Sequence, residues 1–185
     1  MSKKRKMEGK TDYKKRIGYL KSGKIRVVIR PSSKNLVIQA VSFQESGDKI
    51  LITIKASDLR KLYWNYHLGN LPSSYLTGFY FGIKAKEKIK GGIIDLGFRS
   101  LVRGDRVSAT IKGIIDSGFE VPYSDSVFPN EKRINGSEVA EFAKKLSSDK
   151  QAYEKQFSKY LKEGVKPEDI QKNFEKVKER ILSKK

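Results

Sequence analysis

Cysteine is absent and histidine occurs once, at His67. The first absence excludes a disulfide scaffold, thiolate zinc sites and cysteine nucleophiles. The second excludes a histidine-rich metal cluster. No apolar run approaches the ~20 residues that span a bilayer, and the start lacks the apolar stretch of a signal peptide. The expectation is a cytoplasmic protein with no membrane partner. Acids are scarce where bases are dense. Residues 1–35 hold 13 Lys and Arg against Glu8 and Asp12, and they supply most of a formal net charge of +19. A charge placed that way suits a polyanion, because without such a partner the chain would carry the self-repulsion without return. At 185 residues and 37% apolar, the chain can bury one core and a helical annex.

Residues 1–20 read as a flexible arm, with Gly9 and Gly18 interrupting any helix. Three segments then read as a strand meander: Lys24 to Arg30, Leu36 to Phe43 and Lys49 to Ile54, with Gly47-Asp48 marking the second turn. The middle strand is apolar on both faces, with Gln39 its one wet residue, which predicts a central position. Asn70 as cap and Pro72 in the first turn open a helix running to about Ile89. Ser74, Gly78 and Gly82 form a small-residue stripe on it. Each glycine costs ~1 kcal/mol of helix propensity, so a close neighbour is expected there. The sheet is the simplest candidate, while another helix or an RNA backbone also fits.

A short strand, Ile93 to Gly97, and a second helix from about Asp105 to Ser117, stopped by Gly118, complete an α/β layer structure over 21–130. That fold class is a mixed sheet of the meander plus a further strand, packed with two main helices. Residues 131–185 read as a helical C-terminal extension. Its apolar stripes are Val139, Phe142, Ala143 and Leu146, then Tyr153, Phe157, Tyr160 and Leu161, then Ile170, Phe174, Val177 and Ile181. A capping box from Ser148 to Gln151 and a start at Pro167 are expected for the last two helices.

Enzymatic readings find little support. Asp95, Asp116 and Asp125 could be imagined in a metal-dependent nuclease, but Asp95 has no second acid at metal-ligand spacing and is expected to orient a turn or pair with Arg99 or Arg103, while Asp116, near a helix C-terminus, reads as solvated or Arg-paired. His67 sits in the cluster Tyr63-Trp64-Tyr66-His67 and reads as packed. Gly91-Gly92 and Arg103-Gly104-Asp105 match no phosphate loop. No catalytic residue, metal, cofactor or small-molecule substrate is expected. The remaining chemistry is basic. Lys3, Lys4, Arg5, Lys6, Lys10, Lys14, Lys15 and Arg16 can neutralise a phosphate backbone, with Tyr13 and Tyr19 interleaved as stacking surfaces.

The order of motifs resembles one family. Thr11-Asp12-Tyr13 through Arg16, Leu20-Lys21-Ser22-Gly23-Lys24 and Arg26-Val27-Val28 are similar to the opening of the archaeal and eukaryotic 5S-rRNA-binding large-subunit ribosomal proteins, the universal L18 family. So are the block Gly69-Asn70-Leu71-Pro72-Ser73-Ser74-Tyr75-Leu76-Thr77-Gly78, Asp95-Leu96-Gly97, Asp116-Ser117-Gly118 and Val121-Pro122-Tyr123-Ser124-Asp125. The likeness runs from residue 11 to about 145. It implies a structural constituent of the central protuberance that grips 5S rRNA through the arm and one sheet face, beside large-subunit rRNA and neighbouring ribosomal proteins. An RNA-binding assembly or processing factor is the alternative. Arg30, Ser32, Ser33, Lys34 and Gln39 stand where the family has an RNA-contacting loop and a strand Gln, with Ser33 replacing the usual Asn. Lys21, Lys24, Arg26, Asn70, Ser73, Arg99, Arg103 and Arg133 complete the candidate RNA-binding set. After Gly136 the family pattern of His-Ile is replaced by Glu138-Val139.

Overall fold

In the computed structural model, which describes residues 4–9 and 11–183, alternation along the first strand separates two environments. Val27 and Ile29 of β1 (Ile25–Pro31) are buried under helices, while Val28 and Arg30 turn to the opposite face. β1 pairs antiparallel with β2 (Leu36–Ser42), and β2 pairs antiparallel with β3 (Lys49–Lys55). β4 (Gly92–Asp95) lies parallel to β1 on its other side, giving the order β3-β2-β1-β4. The meander plus one added strand is thus the observed sheet, and β2 is interior as its two apolar faces require.

Two helices cover the inner face. α3 (Leu71–Lys86) starts where Asn70 Oδ1 accepts from the Ser73 amide at 2.9 Å. α4 (Arg106–Asp116) starts where Asp105 accepts from the Ser108 amide at 2.8 Å, and Gly118 follows it at φ +83°. The first core joins Val27, Ile29, Leu36, Ile38 and Ala40 of the sheet to Phe81, Val107, Ile111 and Ile114 of these helices.

The small-residue stripe meets α4 and not the sheet. A Cβ on Gly78 would overlap the Thr110 carbonyl, one on Gly82 would overlap Ser117, and one on Gly113 of α4 would overlap the Tyr75 carbonyl. Glycines on both partners let the two backbones approach to a distance that no side chain permits. The Tyr75 hydroxyl then donates to Asp116 Oδ2 at 2.8 Å, tying the pair together.

A second core lies on the far side of α3. Leu59, Leu62, Trp64 and Tyr66 pack with Tyr75, Leu76, Phe79 and Ile83, and α8 (Ile170–Ser183) closes over them with Ile170, Phe174, Val177 and Ile181. The Tyr66 hydroxyl donates to the Lys166 carbonyl at 2.8 Å and accepts from Asn173, and burial pushes its pKa up to about 12. Arg180 donates to the Leu62 carbonyl at 3.0 Å and stacks 4.6 Å from the ring of Tyr63. Nearly all of α3 is therefore buried between the two cores, with Ser73, Ser74 and Thr77 satisfied by carbonyls one turn back.

Between these come α5 (Glu131–Ile134), α6 (Ser137–Leu146) and α7 (Lys150–Lys162). The α7 cap is Asp149, whose carboxylate accepts from the Ala152 amide at 3.1 Å, not the expected Ser148–Gln151 box. A carboxylate is a stronger acceptor for the first-turn amides, so the helix begins one residue later. Pro167 opens a 3-10 turn, Pro167–Asp169, that leads into α8.

The N-terminal segment also departs from expectation. α1 (Lys4–Met7) ends before Gly9, at φ +62°, but α2 (Tyr13–Lys21) runs straight through Gly18. Asp12 Oδ1 accepts from the Lys14 and Lys15 amides at 3.0 and 3.1 Å. That cap is worth ~1 kcal/mol, comparable to what the glycine costs.

Candidate nucleic-acid interface

The outer face of the sheet is built by register. Val28 stands opposite Gln39, Gln39 opposite Thr53, and Val28 is level with Asp95 of β4. Arg26, Arg30, Gln39 and Asp95 thereby share one face with no helix of the core upon it. α2 lies beside this face, leaving a groove of about 460 Å³ lined by Lys15, Arg16, Tyr19, Arg26, Arg30 and Gln39, among others. No side chain of α2 is buried. Its attachments are polar: Arg16 pairs with Asp48 at 2.9 Å, and Lys15 Nζ donates to the Gly97 carbonyl at 3.4 Å.

Two carboxylates organise the arginines of the groove. Arg26, only 6% exposed, donates to Asp48 Oδ2 at 2.6 Å and to Asp95 Oδ2 at 3.1 Å. Arg30 donates to the Asp95 carbonyl at 2.7 Å and approaches Asp95 Oδ1 at 3.3 Å, while about half of its side chain stays in solvent. Asp95 Oδ1 also accepts from the Gly97 amide at 2.8 Å, so the acid does orient the turn. The expected partners Arg99 and Arg103 do not reach it; Arg99 pairs with Asp105 at 3.4 Å. Cross-strand neighbours displaced the sequence neighbours because β1 and β4 are adjacent. Burial and a coulombic contribution from Asp95 raise the Tyr19 pKa, so the phenol keeps its proton and can donate.

The candidate residues divide accordingly. Arg26 is spent on Asp48 and Asp95, because a buried guanidinium requires counter-charge, and it cannot also face a phosphate. Ser73 is fully buried, and its hydroxyl donates to the Asn70 carbonyl at 3.0 Å, so it does not meet RNA either. Asn70 uses its Oδ1 as the α3 cap. Lys14, Lys21, Lys24, Lys34 and Arg103 are exposed and have no ion-pair partner among the described residues, and Lys4 is exposed on α1. Arg5 donates to the Thr11 hydroxyl at 3.0 Å. Tyr13 is half-buried at the start of α2. Gln39 donates to the Thr53 hydroxyl at 3.2 Å, and Arg133 approaches Glu138 at 3.7 Å. Lys3 and Lys10 lie outside the described residues, as does the side chain of Lys6.

Ser32, Ser33 and Lys34 form the β1–β2 turn, where the Ser32 hydroxyl donates to the Asn35 carbonyl and accepts from the Asn35 amide, both at 3.1 Å. Arg106, which sequence reasoning missed, holds that turn in place. Its guanidinium donates to the Ser32 carbonyl at 2.8 Å and to the Gly69 carbonyl at 3.0 Å. Asp48 was missed as well, read only as a turn residue. Nothing local in the sequence marks either residue. His67 is packed as expected: its Nδ1 accepts from the Gly69 amide at 3.0 Å, and burial lowers its pKa.

Comparison with known proteins agrees with this geometry. Residues 1–92 match the family model described as ribosomal large subunit proteins 60S L5 and 50S L18. The chain is 42% identical over 180 residues to the large ribosomal subunit protein uL18 of Methanococcus maripaludis, an alignment spanning 97% of this chain and 93% of that protein. The chain belongs to the uL18 family of large ribosomal subunit proteins, a structural constituent and not an enzyme.

Proposed function

We propose that the chain binds 5S rRNA and anchors it in the central protuberance of the large subunit. Residues 1–20 serve as the RNA-binding arm, 21–130 as the core that displays the sheet face, and 131–185 as an extension toward neighbouring rRNA and proteins. The observation that carries this is α2: a basic helix with no buried side chain, lying along the one sheet face the core leaves uncovered. Lys4, Arg5, Lys14, Lys15, Arg16, Lys21 and Lys24 supply mobile charge. Arg30, Ser32, Ser33, Lys34 and Gln39 present fixed polar groups along the sheet and its turn, with Arg99, Arg103 and Arg133 at the margin. Arginine grips phosphate through paired hydrogen bonds, whereas lysine acts as a point charge. The combination suits a folded RNA recognised by shape and backbone.

The test is competition at near-physiological salt. Labelled 5S rRNA bound to the purified protein is challenged with unlabelled 5S rRNA or with transfer RNA. Displacement by 5S rRNA at far lower concentration supports the reading. Equal displacement by the two would reduce the protein to a non-specific polyanion binder and refute it.

A further inference from the structure

Beside the groove, and sharing Lys15, Tyr19 and Gly97 with it, lies a smaller cavity of about 250 Å³. Its lining differs in kind. Ile94, Leu96 and Leu101 make it apolar, Tyr19 and Tyr123 add two phenols, and two cations stand at it: Lys15, whose Nζ reaches only the Gly97 carbonyl among the described residues, and Arg99, about half in solvent although it also approaches Asp105 at 3.4 Å. Among the described residues no carboxylate lines it, whereas Asp12, Asp48 and Asp95 all line the groove.

The cavity is bounded by a loop that is fixed in place. The Gly97 amide donates to Asp95, the Arg99 amide to the Leu96 carbonyl at 3.3 Å, and the Gly104 amide to the Val127 carbonyl at 3.0 Å. Despite that anchoring, the loop holds Leu101 in solvent at 42% exposure, and Tyr123 opposite is 56% exposed with its ring 5.8 Å from Phe128. Apolar side chains left exposed on both sides of one cavity, on a loop tied at both ends, form a joint surface that a partner can cover. The neighbouring cations define what covers it: a group with an apolar, stackable face that carries negative charge at its edge.

We infer that this cavity takes one unpaired base of the bound RNA, splayed from its strand among Leu101, Tyr19 and Tyr123, with Lys15 and Arg99 meeting the flanking phosphates. The inference rests on the RNA-binding reading above and adds a specific subsite to it. A paired base cannot enter, because its faces are already stacked; a base in a loop or bulge can. Stacking on aromatic side chains tolerates any base identity, so the cavity would read single-strandedness and position more than sequence.

Base stacking and phosphate neutralisation differ in their response to salt, and that difference tests the inference. Affinity for 5S rRNA, and separately for large-subunit rRNA, is measured across a salt series for the wild type, Tyr123→Ala, Leu101→Ser and Tyr123→Phe. Thermal unfolding confirms that each variant is folded. Tyr123→Ala and Leu101→Ser are each expected to weaken binding about tenfold or more at every salt concentration. The slope of log affinity against log salt should stay that of the wild type, and Tyr123→Phe should restore most of the loss. Unchanged affinity in both variants overturns the inference, as does a loss that comes with a shallower slope, since that would be an electrostatic effect. Normal RNA affinity with failure to join ribosomal particles would assign the patch to a protein neighbour and also overturn it. If the wild type ignores 5S rRNA but holds large-subunit rRNA, the proposed function fails while the same variants still decide the cavity. If it holds neither, both fall.

Discussion

The two ends of the chain are both helical and both basic, yet they are attached by opposite physics. α2 buries no side chain and is held through Arg16 on Asp48 and Lys15 on Gly97. α8 buries Ile170, Phe174, Val177 and Ile181 in the second core and is pinned by Arg180 and Asn173. Exposed ion pairs contribute ~0–1 kcal/mol and weaken with salt, whereas each buried aliphatic or aromatic side chain contributes ~1.5–3 kcal/mol. One end is therefore free to exchange its protein contacts for phosphates. The other is part of the fold.

The largest effect that sharpens this contrast is on RNA affinity. If the arm and sheet together make ~6–10 phosphate contacts, affinity falls ~10³–10⁵-fold between 50 and 200 mM salt. Deleting residues 1–21 should remove most of the affinity and flatten that slope, while urea unfolding changes little. A wild-type slope in the deletion variant would show that the electrostatic grip lies elsewhere. At the other end, Phe174→Ala should cost ~3–5 kcal/mol, read as a lower urea midpoint. The RNA salt slope of the folded fraction should not move. A stable Phe174→Ala protein would mean that the second core does not depend on α8.

Asp48→Asn probes the junction between the two regimes. It removes a charged acceptor from both Arg16 and the buried Arg26, and hydrogen bonds to charged groups contribute ~1.5–3 kcal/mol. A stability loss of about that size is expected, together with faster amide exchange across residues 13–21 and little change in exchange along α8. Equal acceleration in both helices would break the comparison.

Much of the fold was legible because its determinants are local. Strand alternation located β1, β2 and β3 to within a residue or two, and Asn70 and Asp105 marked the starts of α3 and α4. The stripe Ser74, Gly78 and Gly82 announced a close neighbour but could not name it, because spacing describes one surface and α4 supplies the other. The candidate interface was legible as charge and illegible as pairing. Arg26 looks in sequence like any other cation of the basic N-terminal stretch. Only the register placing β1 beside β4, and a turn bringing Asp48 to it, shows that its charge is already answered. The continuity of α2 through Gly18 was hidden for the same reason, since its tether at Asp48 lies 32 residues away in sequence.

The second core has a consequence for synthesis. Its halves are made far apart in time: Leu62, Trp64 and Tyr66 emerge about a hundred residues before the segments that cover them. Chains grow from the N-terminus at ~5–20 residues per second, so the sheet, α3 and α4 can assemble while the far face of α3 waits. Tyr66 has no acceptor until Lys166 is translated, and the Leu62 carbonyl gains its guanidinium only with Arg180. A nascent chain halted before residue 170 lacks Ile170, Phe174, Val177 and Ile181, and so leaves open the part of the second core where Tyr75 meets Phe174. That is the kind of exposed apolar surface that makes unfinished chains aggregate and recruits chaperones, and the last helix to be made is what removes it.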